Sequence, residues 1–221
     1  MVASDPIVTN ASTSPDSSNQ TASPRPGSAA SPVVAPGTTL RRMNGAGTDS
    51  ATSGGRTLIL VRHAKSSWDL DVDDHDRPLS GRGRRDAGAI GRLLALQALR
   101  PDLVLCSTAA RTRETWERAS AGGAEAAEVR FLEAIYHAWV PELMRILREV
   151  PDPIGTLLMI GHAPGIPDLV EHLCIRTDSA YWTQLERKYP TSGLAVITAS
   201  GPWRHLGQGR ARLASFAVPR G

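Results

Sequence analysis

From residue 56 onward the chain repeats one arrangement: apolar runs of strand length separated by longer amphipathic stretches. "RTLILV" (56–61), "DLVLCS" (102–107), "EVRFL" (128–132), "GTLLMIG" (155–161), "GLAVIT" (193–198) and "RLASFAV" (212–218) read as strands. The stretch "SGRGRRDAGAIGRLLALQAL" (80–99) reads as a helix, with Ser80 as N-cap and Ala87, Ile90, Leu94 and Ala98 on one face. "ARTRETWERA" (110–119) is a short polar helix. "PELMRILREV" (141–150) has Pro141 at the first helical position, with Leu143, Ile146, Leu147 and Val150 on one stripe. "PGIPDLVEHLC" (164–174) repeats that spacing with Ile166, Leu169, Val170 and Leu173. Strands apolar on both sides need cover on both faces, and alternation with helices makes the sheet largely parallel. The expected fold is therefore α/β: three layers, a mostly parallel central sheet, helices on both faces. Only a short connection joins the last two strands, so one edge should be antiparallel.

An open sheet of this kind binds ligands at the carboxyl ends of its strands. The first strand ends in Arg62-His63 and the second in Ser107, with Arg111 opening the next helix. The third ends at Glu133, and the fourth delivers His162 before a turn rich in Gly and Pro. Any one of these has an ordinary explanation as a turn residue, a helix-face charge or a cap. Their recurrence at one end of successive strands does not.

The two cysteines, Cys106 and Cys174, sit in apolar segments without metal-type spacing and read as buried, reduced thiols. Residues 1–55 differ from the rest: 37 of them are Ala, Ser, Thr, Pro or Gly, and none is aromatic. Such a stretch buries too little apolar surface to offset its ordering entropy, so a disordered tail over 1–55 and a single domain over 56–221 are expected. The tail lacks the basic and apolar regions of a secretory signal, and its three arginines give a transit peptide thin support. No segment offers the ~20 apolar residues of a membrane span. A net charge of +3 without a basic stripe gives no reason to expect nucleic acid. A soluble, cytoplasmic protein is expected.

Two arginines and two histidines without a metal-ligand set suit phosphoryl chemistry. Guanidinium forks bind phosphate oxygens, and backbone N–H groups at a helix start, as after Ser107, add an anion site. A neutral imidazole attacks phosphorus in line, and a second one, if protonated, donates to a phosphoryl oxygen and offsets charge in the transition state. No cofactor or metal is needed.

These residues carry a resemblance. "LILVRHAKS" is similar to the Arg-His-Gly signature of the histidine phosphatase (phosphoglycerate mutase-like) superfamily, with Ala64 in place of Gly. The closer likeness is to its bacterial SixA-like branch of phosphohistidine phosphatases. "DHDRPLSGRGRRDA" resembles that branch's Asp-x-x-Arg-Pro-Leu segment, and "CSTAARTRET" its Ser-x-x-x-Arg-x-x-x-Thr pattern. "LLMIGHAPG" is similar to its Gly-His-x-Pro block and "KYPTSGLAVI" to its Pro-Thr-Ser-Gly strand. The blocks run in the family's order from 56 to about 198.

The resemblance implies His63 as nucleophile, with Arg62, Ser107, Arg111 and His162 around the phosphoryl group. It implies Glu133 as general acid, although the family's Glu-x-x-x-Gly has His137 at the Gly position here, so Asp69 and Asp76 stay open as rivals. The implied substrate is a phosphohistidine on a protein, or a small phosphoester. No insertion long enough for a lid is present beyond 63–80 and 175–190, which suits a macromolecular substrate. A non-catalytic phosphate-binding module, a zinc hydrolase built on His63, His75 and His162, and a phosphoglycerate mutase are the competing readings.

Overall fold

Alternation within the strands builds the core. The computed structural model describes residues 55–221; the expected disordered tail lies outside this range, Gly55 apart. In β1 (Arg56–Arg62), Leu58 and Leu60 point to one face of the sheet, and Ile59 and Val61 to the other. All four are buried, so the strand is covered twice over. β2 (Leu103–Ser107) and β4 (Thr156–Gly161) behave alike, whereas β3 (Glu128–Leu132) is mostly exposed, as an edge strand can be.

The six strands lie in the order β3-β2-β4-β1-β5-β6. The first four in that order are parallel. β5 (Leu194–Ala199) runs antiparallel to β1, and β6 (Ala211–Ala217) antiparallel to β5, which is the antiparallel edge expected from the short connection. One core packs α3 (Val140–Arg148), α4 (Gly165–Leu173) and α5 (Ala180–Arg187) against the Leu58/Leu60 face. The other packs α1 (Gly81–Leu96) and α2 (Ala110–Ala121) against Ile59 and Val61. The architecture is the three-layer α/β sandwich anticipated, and no helix among the described residues is long and apolar enough to cross a membrane.

Ser80 caps α1 as expected, its hydroxyl accepting from the Gly83 N–H. The helix stops at Leu96, short of 99, because Ala98 takes a positive φ of 52° and the chain turns. α5 was not foreseen: it begins at Ser179, whose side chain caps Trp182 N–H, and buries only Trp182 and Leu185. α1 and α2 approach at a distance only glycine allows. A Cβ on Gly91 would lie 1.9 Å from the Ala119 carbonyl oxygen, and one on Gly122 2.4 Å from that of Gly88.

Candidate active site

Strand register brings the functional residues together. β1 and β4 are parallel with Arg62 opposite Gly161, so the next residues, His63 and His162, leave the sheet side by side. Cys106 of β2 lies opposite Ile160 of β4, which puts Ser107 at the same level. The His63 and His162 rings are 5.2 Å apart between centroids, and Nε2 of His162 is 2.9 Å from Oγ of Ser107. Arg111, in the first turn of α2, is 4% exposed and close enough for its charge to act on His63.

The His63 ring has a defined tautomer. Its Nδ1 lies 2.7 Å from the Ala64 carbonyl oxygen, which can only accept, so Nδ1 carries the hydrogen and Nε2 keeps a lone pair. Ala64 is itself held by its N–H donating to Thr115 Oγ1 at 3.0 Å. Burial pushes His63 down to about 3, despite the Ala64 hydrogen bond, and Arg111, Arg62 and Arg77 push the same way. The ring is neutral at physiological pH. His162 is held down to about 2 by burial first, then by His63, Arg111 and His137. The Ser107 hydroxyl accepts from the Ala109 N–H and can give its own hydrogen to Nε2 of His162. In that arrangement Nδ1 carries the hydrogen of the His162 ring, which burial keeps neutral and not protonated as expected from the sequence.

Among the described residues, four buried side-chain polar atoms have no partner: Arg62 Nε, Arg111 Nε, His162 Nδ1 and Ser192 Oγ. Three are nitrogen donors belonging to the groups around His63. Ser192 belongs there too, its N–H lying 3.1 Å from both the Arg62 and His63 carbonyl oxygens, with φ at +65°. Buried polar groups are almost always satisfied, so unpaired donors on neighbouring side chains are suited to receive an anion. Other nitrogens of the two guanidinium groups have protein partners. Arg62 Nη1 donates to the Tyr189 carbonyl at 2.8 Å, and both Nη atoms of Arg111 donate to Asp74, one to its carbonyl oxygen and one to Oδ2.

Asp74 is the residue that sequence reasoning missed. It opens a short 3₁₀ turn, Asp74–Asp76, in the loop after His63. Oδ2 accepts from Arg111 Nη2 at 2.9 Å and from the Tyr136 hydroxyl at 2.8 Å, and Oδ1 accepts from Arg77 Nε at 3.0 Å. Partial desolvation, the largest single influence, pushes its carboxyl up. The Tyr136 hydrogen bond and the Arg111 and Arg77 charges outweigh it and hold the group at about 2. Tyr136 stacks on His137 at 3.9 Å and meets His162 edge-on at 5.5 Å.

The expected acids have other partners or none. Glu133 leads the 3₁₀ turn Glu133–Ile135, is exposed, and its side chain has no hydrogen bond among the described residues. Asp69 bonds Ser67, and Asp76 pairs with His75. His75, the third histidine of the zinc alternative, faces Thr108 at 3.0 Å. The signal that could have singled out Asp74 was its place as the Asp of the quoted Asp-x-x-Arg-Pro-Leu segment, three residues before Arg77.

Known proteins resemble this chain. The model of the histidine phosphatase superfamily, branch 1, matches residues 58–206. An uncharacterized protein of Mycobacterium tuberculosis is 38% identical over 162 residues, which is 72% of this chain and 100% of the relative. A structure from Nakamurella multipartitia, provisionally named phosphohistidine phosphatase SixA, is 35% identical and superposes with a TM-score of 0.66 over 75% of this chain and 97% of that one. Its counterpart from Agrobacterium tumefaciens, under the same provisional name, is 28% identical with a TM-score of 0.62, over 74% and 98% of the two chains. The conjunction of this sheet, these strand-end residues and that match over most of the described chain has one meaning: the protein belongs to the histidine phosphatase superfamily, branch 1.

Proposed function

We propose that the protein hydrolyses phosphohistidine on proteins, through a phosphoenzyme formed on His63. The observation that carries the reading is the set of unpaired buried donors, Arg62 Nε, Arg111 Nε and His162 Nδ1, gathered about an imidazole whose Nε2 is left free by the Ala64 contact. Nε2 attacks phosphorus, the bond from phosphorus to the leaving atom breaks, and the three donors take the charge on the phosphoryl oxygens. Water then attacks the phosphoenzyme. Its oxygen takes the phosphoryl group, the electron pair of the broken P–N bond returns to His63, and a water proton leaves with phosphate or to solvent.

The depressed basicity of His63 suits this role, because the ring is in its nucleophilic form across the physiological range. The names of the Nakamurella and Agrobacterium neighbours favour a phosphohistidine over an ester. An accessible mouth favours a protein-borne substrate: the His137 side chain is 67% exposed and that of Asp74 43%.

Trapping tests the reading. Acid-labile, alkali-stable phosphoenzyme should accumulate in the wild type and vanish, with turnover, in His63→Ala. A phosphoryl group trapped on serine or aspartate would refute it.

A further inference from the structure

We propose that Asp74 determines the substrate class, receiving the protonated ring of a phosphohistidine and disfavouring dianionic phosphate esters. The inference rests on the phosphohistidine reading above and assigns that selectivity to a residue.

Asp74 is a fixed anion at the mouth. Arg111, Arg77 and the Tyr136 hydroxyl hold its two carboxylate oxygens from three sides, yet its side chain stays 43% exposed. Its partnership with Arg111 leaves room for substrate, because it uses the Nη atoms, while Nε is the atom without a partner. A phosphoryl group received by the Nε edge therefore sits beside Asp74 without displacing it. The carboxylate and the phosphoryl group then share one guanidinium.

That neighbour treats two substrate classes differently. A phosphomonoester brings two negative charges and nothing that a carboxylate can bind, so it meets like-charge repulsion. A phosphohistidine brings a ring whose nitrogen remote from phosphorus binds a proton, with an unperturbed pKa of ~6.5 for imidazole. An adjacent carboxylate accepts a hydrogen bond from that N–H and favours the charged form. Tyr136 and the stacked His137 offer flat aromatic surfaces beside the carboxylate for the same ring.

The chemistry balances without an outside acid. The His63 Nε2 lone pair forms the new P–N bond, and the old P–N bond breaks with its electron pair staying on the leaving ring. That ring already holds a proton on its other nitrogen, so it departs as neutral imidazole. Asp74 is itself ionised at neutral pH, held at about 2 as described, and has no proton to give. Its contribution is to keep the substrate ring in the protonated form that leaves.

The test compares kcat/KM at pH 7 for a phosphohistidine peptide and for 4-nitrophenyl phosphate, in the wild type and Asp74→Asn. The ratio of the two should fall by about tenfold or more in the variant, with the peptide slower and the aryl ester faster. Tyr136→Phe, which keeps the carboxylate but removes one of its anchors, should shift the ratio the same way by less. Should Asp74→Asn melt far below the wild type, the Tyr136→Phe ratio decides alone. An unchanged ratio, or equal changes on both substrates, overturns the role of Asp74 while phosphoenzyme on His63 still forms. Absence of that phosphoenzyme in the wild type overturns the reading beneath it, and this inference with it.

Discussion

Nε2 of His162 lies 2.9 Å from Oγ of Ser107, although 55 residues separate the two in the chain. The contact fixes which imidazole nitrogen is left for a substrate. Ser107→Ala should therefore lower kcat by about 10- to 100-fold, the scale seen when an imidazole in a metal site loses its orienting partner. Stability should fall by ~1–3 kcal/mol, because the substitution leaves a buried ring nitrogen unsatisfied. Ser107→Thr, which keeps a hydroxyl, should recover much of kcat; failure of that rescue would assign Ser107 to packing alone.

Stability should depend on pH through the two buried histidines. Folding holds His63 at about 3 and His162 at about 2, both below the value of 6.5 for a free imidazole. Between those limits the unfolded chain binds protons that the folded protein refuses, so acid favours unfolding. Their stabilising contribution is fully present above pH ~6.5 and is lost as pH falls toward ~3, with a slope of at most ~1.4 kcal/mol per pH unit for each ring. Urea midpoints from pH 7 to pH 4.5 should show a shallower decline in His162→Gln than in the wild type. Parallel curves would mean that the ring is already charged in the folded protein.

The arginines should separate sharply. Arg62→Ala or Arg111→Ala should cost ~10²- to 10³-fold in kcat, the scale for losing one preorganised charge-stabilising donor. Inorganic phosphate and vanadate should bind more weakly in parallel. Arg113, two residues along the same helix, is exposed and lies over the Phe131 ring at 5.4 Å, so Arg113→Ala should leave kcat close to the wild-type value.

Glu133→Gln should leave hydrolysis of both an alkyl phosphate and a phosphohistidine protein nearly unchanged, since the carboxylate is exposed and unpartnered. A large loss confined to the alkyl phosphate would restore Glu133 as the general acid.

Gly91→Ala should destabilise the fold by ~1–3 kcal/mol or more, the range for overpacking a well-filled interior. The added carbon would fall 1.9 Å from the Ala119 carbonyl oxygen, and backbone must move to admit it. A thermal melt matching the wild type would show that α1 and α2 can part without cost.

The strand ends could be read from the sequence because each follows a run of buried residues whose length and register are set by the sheet. Arg62, His63, Ser107 and His162 converge for that reason alone. α5 escaped notice because two buried anchors, Trp182 and Leu185, define no period. Asp74 escaped for a different reason. The loop after His63 carries carboxylates at 69, 71, 73, 74 and 76, and a loop has no periodicity to say which one faces Arg111. Apart from the spacing of Asp74 to Arg77, only the three-dimensional path of the turn distinguishes them. Ser192 was quoted within its motif, but its positive φ and its N–H contacts to Arg62 and His63 depend on how β5 returns beside β1.

The position of β1 in the sheet has a consequence for how the site breathes. β1 is hydrogen-bonded on both sides, to β4 and to β5, and buried on both faces. Its amide hydrogens should exchange with solvent only when the whole domain opens. Asp74 itself is held by Arg111, Arg77 and Tyr136, but the stretch before it, with exposed Trp68, Leu70 and Val72, should open locally and often. The nucleophile is thus anchored in the slowest-exchanging part of the molecule, and the residue proposed to choose the substrate directly follows one of the fastest. Changes in that segment can accumulate with little effect on folding, so relatives of this domain can diverge in what they accept while keeping the same reaction.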